Sequence, residues 1–341
     1  MAHIGTTLTT FVQQEQRLHP TARGTFTGLL TDIALACKKV ASLVHRGALV
    51  DVIGRHGGSN NQGEAQEKLD VLADAIFREC LLRNGNTAAL ASEEHEHLIH
   101  PDPGQPLGPY LVAYDPLDSS SNIDVNVTVG SIISVRPAPV DRTPTLADFL
   151  QPGTNQVAAA YCLYGPSTQL VLTLGSGVHV FTLDPDIGEF ILTRTNAQIP
   201  AEAREFAINT SNRRRWDPAV RRWYDECLLG AEGPRGRDFN MRWIASLVAE
   251  VHRILTRGGV FTYPVDARLR AQGRTGRLRL LYELAPMALL VEQAGGAVST
   301  GERRLMEVCP TSLHDRVPVF LGASTEVALI EAYHREAATS A

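Results

Sequence analysis

The spacing of apolar residues changes partway along the chain, and this change restricts the possible folds more than any other feature. Apolar residues recur at helical spacing over residues 29–44 and again over residues 64–83. Between these two segments, residues 52–63 are rich in Gly, Asn and Ser, which predicts a mobile loop. From Thr87 the apolar residues instead form short strand-like runs, at 87–91, 110–114, 127–135, 157–164, 169–174, 177–183 and 189–193. The first part of the chain is therefore predicted to contain a large sheet with helices.

Helices and strands alternate again in the second part, after polar residues and a proline interrupt the pattern at 196–200. Helices are predicted at 218–227, 243–256, 282–293 and 325–335. Short strands are predicted at 206–209, 260–263, 278–281, 297–300 and 319–321. The sequence thus predicts the α/β class, with two mixed units that divide the chain into residues 1–200 and 201–341.

Charge and cysteine content argue against several classes of protein. The 341 residues include 32 basic and 37 acidic residues, and the net charge of −5 gives no general attraction to nucleic acids or anionic membranes. No apolar run approaches the roughly 20 residues that span a bilayer, and no signal peptide is visible. The five cysteines are widely spaced and form no C-x-x-C pair, so we expect buried free thiols and a cytoplasmic location.

Acidic residues gather where the predicted strands end. Glu93 and Glu94 follow the first strand, and Asp115 and Asp118 follow the second, while Glu283 follows a later apolar run. Because ligands collect at the carboxyl edge of sheets in α/β folds, we expect these carboxylates to converge. Converging carboxylates repel one another, and a hard divalent cation removes this penalty. The oxygen-rich set therefore predicts a site for Mg²⁺ or Mn²⁺.

The Asp-Pro-Leu-Asp turn offers further contacts to a metal and a phosphate. Its proline restrains the backbone, so the carbonyl of Leu117 can face a metal, and two ions bridged by Asp115 would suit phosphoryl transfer. The N–H groups of Ser119 and Ser120 then form a phosphate seat. Each part also has an ordinary explanation: a Glu-Glu pair is commonly a solvated strand end, and the polar run is equally an N-cap or Asx turn. These alternatives stay open for each part taken alone.

Glu93 and Glu94, which we call the acidic pair, form a pattern together with the Asp-Pro-Leu-Asp turn. This pattern resembles a known family. "SEEHEH…YDPLDSSSNID", at residues 92–124, resembles the metal-dependent sugar phosphatases that include the inositol monophosphatases. Three other segments narrow the resemblance to class I fructose-1,6-bisphosphatases, at residues 150–192, 246–255 ("SLVAEVHRIL") and 276–296 ("GRLRLLYELAPMALLVEQAGG"). The resemblance runs from residue 23 to the last helix. It implies the layered α+β sugar-phosphatase fold, in which helix and sheet layers alternate.

The resemblance implies a role for each matching residue. The metal ligands, for two or more Mg²⁺ ions with Mn²⁺ as a substitute, would be Glu93, Asp115, the Leu117 carbonyl, Asp118 and Glu283. Asp70 and Glu94 would deprotonate and orient the attacking water. The 1-phosphate would lie on Ser119, Ser120 and Ser121. The sugar and the 6-phosphate would meet Asn209, Arg242, Trp243, Leu247, Tyr263 and Arg277.

The activity implied in this way is hydrolysis of the 1-phosphate of fructose 1,6-bisphosphate, giving fructose 6-phosphate in gluconeogenesis or the Calvin cycle. Arg242 would reach into the site of a neighbouring subunit of a homotetramer. Two alternatives are an enzyme that also cleaves sedoheptulose 1,7-bisphosphate and a non-catalytic regulator that binds a sugar phosphate.

The chain departs from the family pattern within the implied site. Ser119 stands where glycine is usual, which costs free energy if that backbone needs a positive φ. Asn212 replaces a tyrosine near the 6-phosphate, so that contact would weaken or pass to Arg213. Trp243 replaces another tyrosine, and Arg277 replaces a lysine. We therefore expect a sugar-phosphate pocket similar to that of the family but not identical to it.

Overall fold

The computed structural model describes residues 3–18, 24–50, 54–59 and 65–339. The α-helices of these residues are α1 (Leu8–Arg17), α2 (Thr25–Arg46), α3 (Lys68–Leu82), α4 (Leu146–Phe149), α5 (Pro218–Leu229), α6 (Leu247–Arg257), α7 (Ala267–Ala271), α8 (Ala285–Gln293) and α9 (Ser324–Thr339). The strands are β1 (Arg55–Ser59), β2 (Ala65–Glu67), β3 (Thr87–Ser92), β4 (Tyr110–Asp118), β5 (Val129–Pro137), β6 (Ala158–Tyr164), β7 (Thr168–Thr173), β8 (His179–Asp184), β9 (Glu189–Arg194), β10 (Glu205–Ala207), β11 (Asn240–Met241), β12 (Val260–Tyr263), β13 (Leu278–Arg279), β14 (Ala297–Ser299), β15 (Arg316–Val317) and β16 (Val319–Gly322).

The large sheet contains the seven strands from β3 to β9, in chain order. Strands β3 and β4 are parallel, and every later neighbour pairs antiparallel. Short turns between β6, β7, β8 and β9 make consecutive hairpins. The single parallel pair matters most for function, because it brings the carboxyl ends of β3 and β4 to the same edge.

The smaller sheet has the order β11-β10-β12-β16-β14, and helices separate it from the large one. Apolar residues of α1, α2 and α3 cover one face of the large sheet. Helices α6 and α8 lie between the other face and the smaller sheet, and α5 and α9 cover the outer face of the smaller sheet. Helix and sheet layers therefore alternate, and the predicted fold class is confirmed. The division at residue 200 stays a prediction.

Two predicted helices begin later than expected, because tertiary contacts take over their first residues. The helix predicted at 64–83 begins at Lys68, since Ala65–Glu67 forms β2 and pairs with β1. This pairing also corrects part of the predicted mobile loop, because Arg55–Ser59 is a strand; residues 51–53 and 60–64 lie outside the described residues. The helix predicted at 243–256 begins at Leu247, because Ala245 has a left-handed φ of 63°.

The helix predicted at 282–293 differs in type at its start. Residues Leu280–Leu284 form a π-helix that leads into α8, where an ordinary helix was predicted from residue 282. π-Helical turns inside helices often accompany functional sites, because they redirect individual side chains. Here the π-helix carries Glu283.

The cysteine prediction is mostly right. Cys37, Cys80, Cys162 and Cys227 are buried free thiols, whereas Cys309 is an exposed one. Local apolar neighbours did not reveal the exposure of Cys309, because it depends on which strands and loops pack around it. Among the described residues, none of the helices has both the length and the apolar character needed to cross a membrane.

Candidate active site

The parallel pairing of β3 and β4 builds the first part of the site. Ser92 at the end of β3 lies opposite Tyr114, and the amide of Glu93 donates to the carbonyl of Tyr114 at 3.1 Å. The register of β4 against β5 shifts between Asp115 and Asp118, at the Asp-Pro-Leu-Asp turn. The carboxylates predicted at two neighbouring strand ends therefore do lie at one edge of the sheet.

Three carboxylates meet there, and we call Asp115, Asp118 and Glu283 the acidic cluster. One oxygen from each lies within 4.8 Å of the others. All three side chains are buried, with no more than 5% of each residue exposed. Glu283 comes from the π-helix, far away in sequence from the other two. Three buried oxygen donors at this spacing suit a hard divalent cation and offer neither the nitrogen nor the sulfur that zinc prefers.

The electrostatics of the acidic cluster support the same conclusion. Burial raises the pKa of Asp118 to about 6 and that of Glu283 to about 8, and the charge of Glu93 adds to both shifts. Burial and then the charge of Glu93 raise the pKa of Asp115 well above its ordinary value. Without a cation, the cluster therefore resists full ionisation near neutral pH, and a bound cation would relieve the repulsion.

Local hydrogen bonds hold the cluster in place. The amide of Leu117, which lies in the wall of the site, donates to Asp115 Oδ1 at 2.9 Å. Asp118 Oδ2 accepts from the amide of Val248 at 3.0 Å and from Ser119 Oγ at 2.9 Å. These bonds hold both carboxylates of the Asp-Pro-Leu-Asp turn in place.

Glu93 lies beside the cluster but pairs with an arginine. Arg279 Nη1 lies 2.5 Å from Glu93 Oε1, and the Arg279 amide donates to the carboxylate of Glu283. Arg279 is buried, so its charge offsets part of the local negative charge. The role of Glu93 as a metal ligand stays a prediction.

The turn after Asp118 has the geometry of an anion seat. Ser119 has φ 66°, and a short 3₁₀ helix, Ser120–Asn122, follows it. The first amides of such a turn have no partner within the helix, so they can donate to a phosphate. The backbone at this position does have a positive φ, so Ser119 adopts the left-handed conformation that glycine adopts more easily. The hydroxyl of Ser119 contacts Asp118 and the Leu247 amide.

Asp70 lies on the same side as this seat, at the start of α3. Its carboxylate accepts from the amide of Glu67 at 2.9 Å and from the side chain of Ser120. Burial raises the pKa of Asp70 to about 7, and the negative charge of Glu94 contributes to the increase. A carboxyl group that titrates near neutral pH can accept and release a proton, which is what a general base requires.

The opposite wall of the site is aromatic and basic. Trp243 stacks on Phe261 with an interplanar angle of 10°, and Tyr263 lies 6.0 Å from Trp243 between ring centroids. The Arg277 guanidinium lies over the Tyr263 ring at 5.8 Å. Asn209 caps a 3₁₀ helix, accepting from the Ser211 amide at 3.2 Å. This wall and the acidic cluster enclose a cavity of about 620 Å³.

The cavity brings together nearly all of the predicted site residues. Those lining it are Glu93, Glu94, Asp115, Leu117, Asp118, Ser119, Ser120, Ser121, Asn209, Trp243, Leu247, Tyr263, Arg277 and Glu283. Asp70 reaches it through Ser120.

Two arginines considered for the sugar phosphate lie elsewhere. Arg242 does not line the cavity; its side chain is 50% exposed and lies 3.8 Å from Glu205. Arg213 also lies outside the cavity and forms a forked ion pair with Asp225. In this position it does not take over the 6-phosphate contact that is weakened by Asn212.

Arg279 and Arg316 also line the cavity, although neither was predicted as a site residue from the sequence. Arg277 and Arg279 are two residues apart in a strand-like run, a spacing that puts side chains on one face of a strand and that could have revealed Arg279. Arg316 carries no comparable signal, because β15 is brought beside β13 only by antiparallel pairing in the folded chain.

Comparison with known proteins identifies the family. The models for the N-terminal and C-terminal domains of fructose-1-6-bisphosphatase match residues 6–195 and 199–335. The chain belongs to the fructose-1,6-bisphosphatase family. The resemblance to class I enzymes of this family is confirmed by relatives that are named class 1.

Individual fructose-1,6-bisphosphatases are similar to this chain over almost their whole length. The chain is 57% identical to the fructose-1,6-bisphosphatase class 1 of Halorhodospira halophila, covering 98% of this chain and 99% of the relative. It is 54% identical to fructose-1,6-bisphosphatase class 1 3 of Methylibium petroleiphilum, covering 97% and 92%. Leishmania major fructose-1,6-bisphosphatase in its holo form has a TM-score of 0.90 at 39% identity, covering 98% of this chain and all of that one.

Proposed function

We propose that this chain hydrolyses the 1-phosphate of fructose 1,6-bisphosphate, producing fructose 6-phosphate and inorganic phosphate. The observation that carries the proposal is the shared cavity, which is lined by the buried acidic cluster, the anion seat and Arg277. Such a cavity offers separate groups for two phosphates of a small substrate. The names of the relatives support the same activity.

Class 1 enzymes of this family are generally metal-dependent. We infer that Asp115, Asp118 and Glu283 hold Mg²⁺, with Glu93 and the Leu117 carbonyl completing the ligands of two or more ions; Mn²⁺ has the same preference for oxygen. When bound, such ions neutralise phosphate charge and lower the pKa of water.

The chain's own residues supply the proton transfer and hold the reacting phosphate. Asp70 can accept the proton of the attacking water, and Glu94 orients that water beside it. The amides of Ser119, Ser120 and Ser121 hold the 1-phosphate, while the Ser120 hydroxyl keeps Asp70 directed at the same place. A binding protein has no need for a pair of carboxylates that activates water, so the presence of both Asp70 and Glu94 beside the acidic cluster favours catalysis over the regulator hypothesis.

The aromatic and basic wall would hold the rest of the substrate. Arg277 can offer two parallel N–H groups to the 6-phosphate, a geometry that lysine cannot provide. Tyr263 and Asn209 are positioned to hydrogen-bond the same phosphate or the sugar, and Trp243 and Leu247 provide its apolar surface.

Arg242 is proposed to act across a subunit boundary. Its half-exposed side chain lies outside its own cavity, as expected for a residue that completes the site of a neighbour. We propose a homotetramer because the family resemblance implies one, and the cytoplasmic location predicted from the cysteines stays a prediction.

The direct test measures phosphate release from fructose 1,6-bisphosphate, sedoheptulose 1,7-bisphosphate and inositol monophosphate, with Mg²⁺ and after exhaustive chelation. Glu94→Gln and Asp118→Asn should leave a folded protein with little activity. Glu96→Gln is the matched control, because Glu96 is exposed two residues from Glu94 and does not line the cavity. Comparable rates on both bisphosphates would establish the dual-specificity alternative. Near-normal turnover in either variant, or activity that survives chelation, would refute the proposed mechanism.

A further inference from the structure

A buried carboxylate outside the acidic cluster has no part in the chemistry described above. Glu250 lies in the first turn of α6 and is 1% exposed. Its Oε1 accepts from the amide of Ile244 at 2.5 Å, and its carboxylate also accepts from the amide of Ala245. Burial raises the pKa of Glu250 to about 7, while these two hydrogen bonds and the charge of Arg253 oppose the shift.

The backbone that Glu250 holds, residues 243–246, forms part of the cavity wall. Trp243, Ala245 and Ser246 all line the cavity. Ala245 has φ 63°, a left-handed conformation that is unfavourable for alanine. A segment with an unfavourable backbone conformation keeps its shape only when surrounding contacts hold it, and Glu250 supplies two of them.

The same segment is tied to the phosphate seat. Asn122, the last residue of the 3₁₀ helix that forms the seat, donates its Nδ2 to the carbonyl of Ala245 at 2.9 Å. Immediately after the segment, the amide of Leu247 donates to Ser119 Oγ at 3.3 Å. The wall that carries Trp243 and the seat for the reacting phosphate are therefore joined through residues 244–247.

We infer that Glu250 is a positioning residue that sets the distance between the phosphate seat and the Trp243 wall. It therefore determines how well the cavity accepts the sugar end of its substrate. The inference rests on the proposed function and adds to it a specificity-determining residue outside the cavity. Glu250 touches neither the acidic cluster nor the seat directly, so its loss should weaken contacts to the sugar more than contacts to phosphate alone.

Calorimetry with two probes tests this without relying on turnover. The probes are fructose 6-phosphate, which needs the wall, and inorganic phosphate, which needs the seat; both are titrated into the full-length protein with Mg²⁺. In Glu250→Ala, the Kd for fructose 6-phosphate should rise about tenfold or more, because small misplacements of binding groups are costly. The Kd for inorganic phosphate should stay within about twofold of the wild-type value.

Three further variants separate positioning from general loss of stability. Glu250→Gln keeps one acceptor and should give an intermediate Kd for fructose 6-phosphate, and it remains usable if Glu250→Ala folds poorly. Asp32→Asn perturbs another buried carboxylate, which accepts from Asn84 and Asn86 far from the cavity, and should leave both Kd values unchanged. Adding Ala245→Gly to Glu250→Ala should recover part of the lost affinity, because glycine adopts positive φ freely.

The outcomes distinguish this inference from the proposed function. If the wild type hydrolyses fructose 1,6-bisphosphate while Glu250→Ala binds fructose 6-phosphate normally, the positioning role is wrong and the proposed function stands. Equal weakening of both probes would also overturn the positioning role, since it would indicate a purely structural effect. A wild-type protein that neither binds fructose 6-phosphate nor hydrolyses the bisphosphate would overturn both.

Discussion

The acidic cluster should make the stability of the metal-free protein depend on pH, and Glu283→Gln isolates the effect. Burial raises the pKa of Glu283 from 4.5 to about 8. The folded protein therefore retains a proton that the unfolded chain has already released. Between these two pKa values the unfolded state is favoured as pH rises, so the free energy of unfolding falls.

The size of the effect follows from the shift. One proton changes the free energy of unfolding by about 1.4 kcal/mol per pH unit within this range. From pH 5 to pH 8, ionisation of Glu283 alone should then remove roughly 3–4 kcal/mol. In a chain of this size, that corresponds to a fall in Tm of about 5 °C. A glutamine side chain does not ionise, so the Glu283→Gln variant lacks this part of the pH dependence.

Thermal melts after chelation, at four pH values from 5 to 8, measure the difference between wild type and Glu283→Gln. The wild type should lose stability more steeply, while the variant keeps the slope expected from the other buried carboxyl groups with raised pKa values, which are Asp70, Asp115, Asp118 and Glu250. Adding Mg²⁺ at pH 8 should stabilise the wild type more than the variant. Glu96→Gln should behave as the wild type does. Identical pH slopes in the wild type and Glu283→Gln, or wild-type stability that rises with pH, would refute the reasoning.

Three other substitutions test separate parts of the structure. Ser119→Gly should relieve about 1 kcal/mol of backbone strain but lose two hydroxyl hydrogen bonds of about 1 kcal/mol each. The free energy of unfolding, measured by urea denaturation, should therefore fall by about 1 kcal/mol, and a clear gain in stability would contradict this. Arg242→Ala should change the free energy of unfolding by less than about 0.5 kcal/mol, because its contact with Glu205 is exposed, yet raise KM for the bisphosphate; an unchanged KM would argue against its role across subunits. Glu326→Gln should lower the free energy of unfolding by about 3–5 kcal/mol in thermal melts without changing KM, because the substitution leaves the charge of the buried Arg235 uncompensated. A small decrease would show that this ion pair contributes little to stability.

Most of the fold could be predicted from local pattern, and the exceptions share a cause. The strands of the large sheet match the predicted apolar runs within a few residues, because most of them are buried on both faces and therefore consist of continuous apolar residues. The misplaced helix starts at Lys68 and Leu247 depend on competing hydrogen bonds: β1 pairs with the residues before α3, and the side chain of Glu250 holds the residues before α6. Helical periodicity does not register such competition for backbone hydrogen bonds.

The candidate site divides in the same way. The sequence by itself determined which groups are available: the Asp-Pro-Leu-Asp turn, the acidic pair, the serine run and Arg277 are local motifs whose chemistry follows from residue type. Only the tertiary structure decided which of them meet, because the π-helix brings Glu283 to Asp115 and Asp118, and the packing of α3 brings Asp70 to Ser120. It also decided that Arg279 neutralises Glu93 and that Arg242 lies outside its own cavity. Burial and charge proximity depend on the whole fold, so the pKa values that make the acidic cluster a candidate metal site arise only in the folded chain.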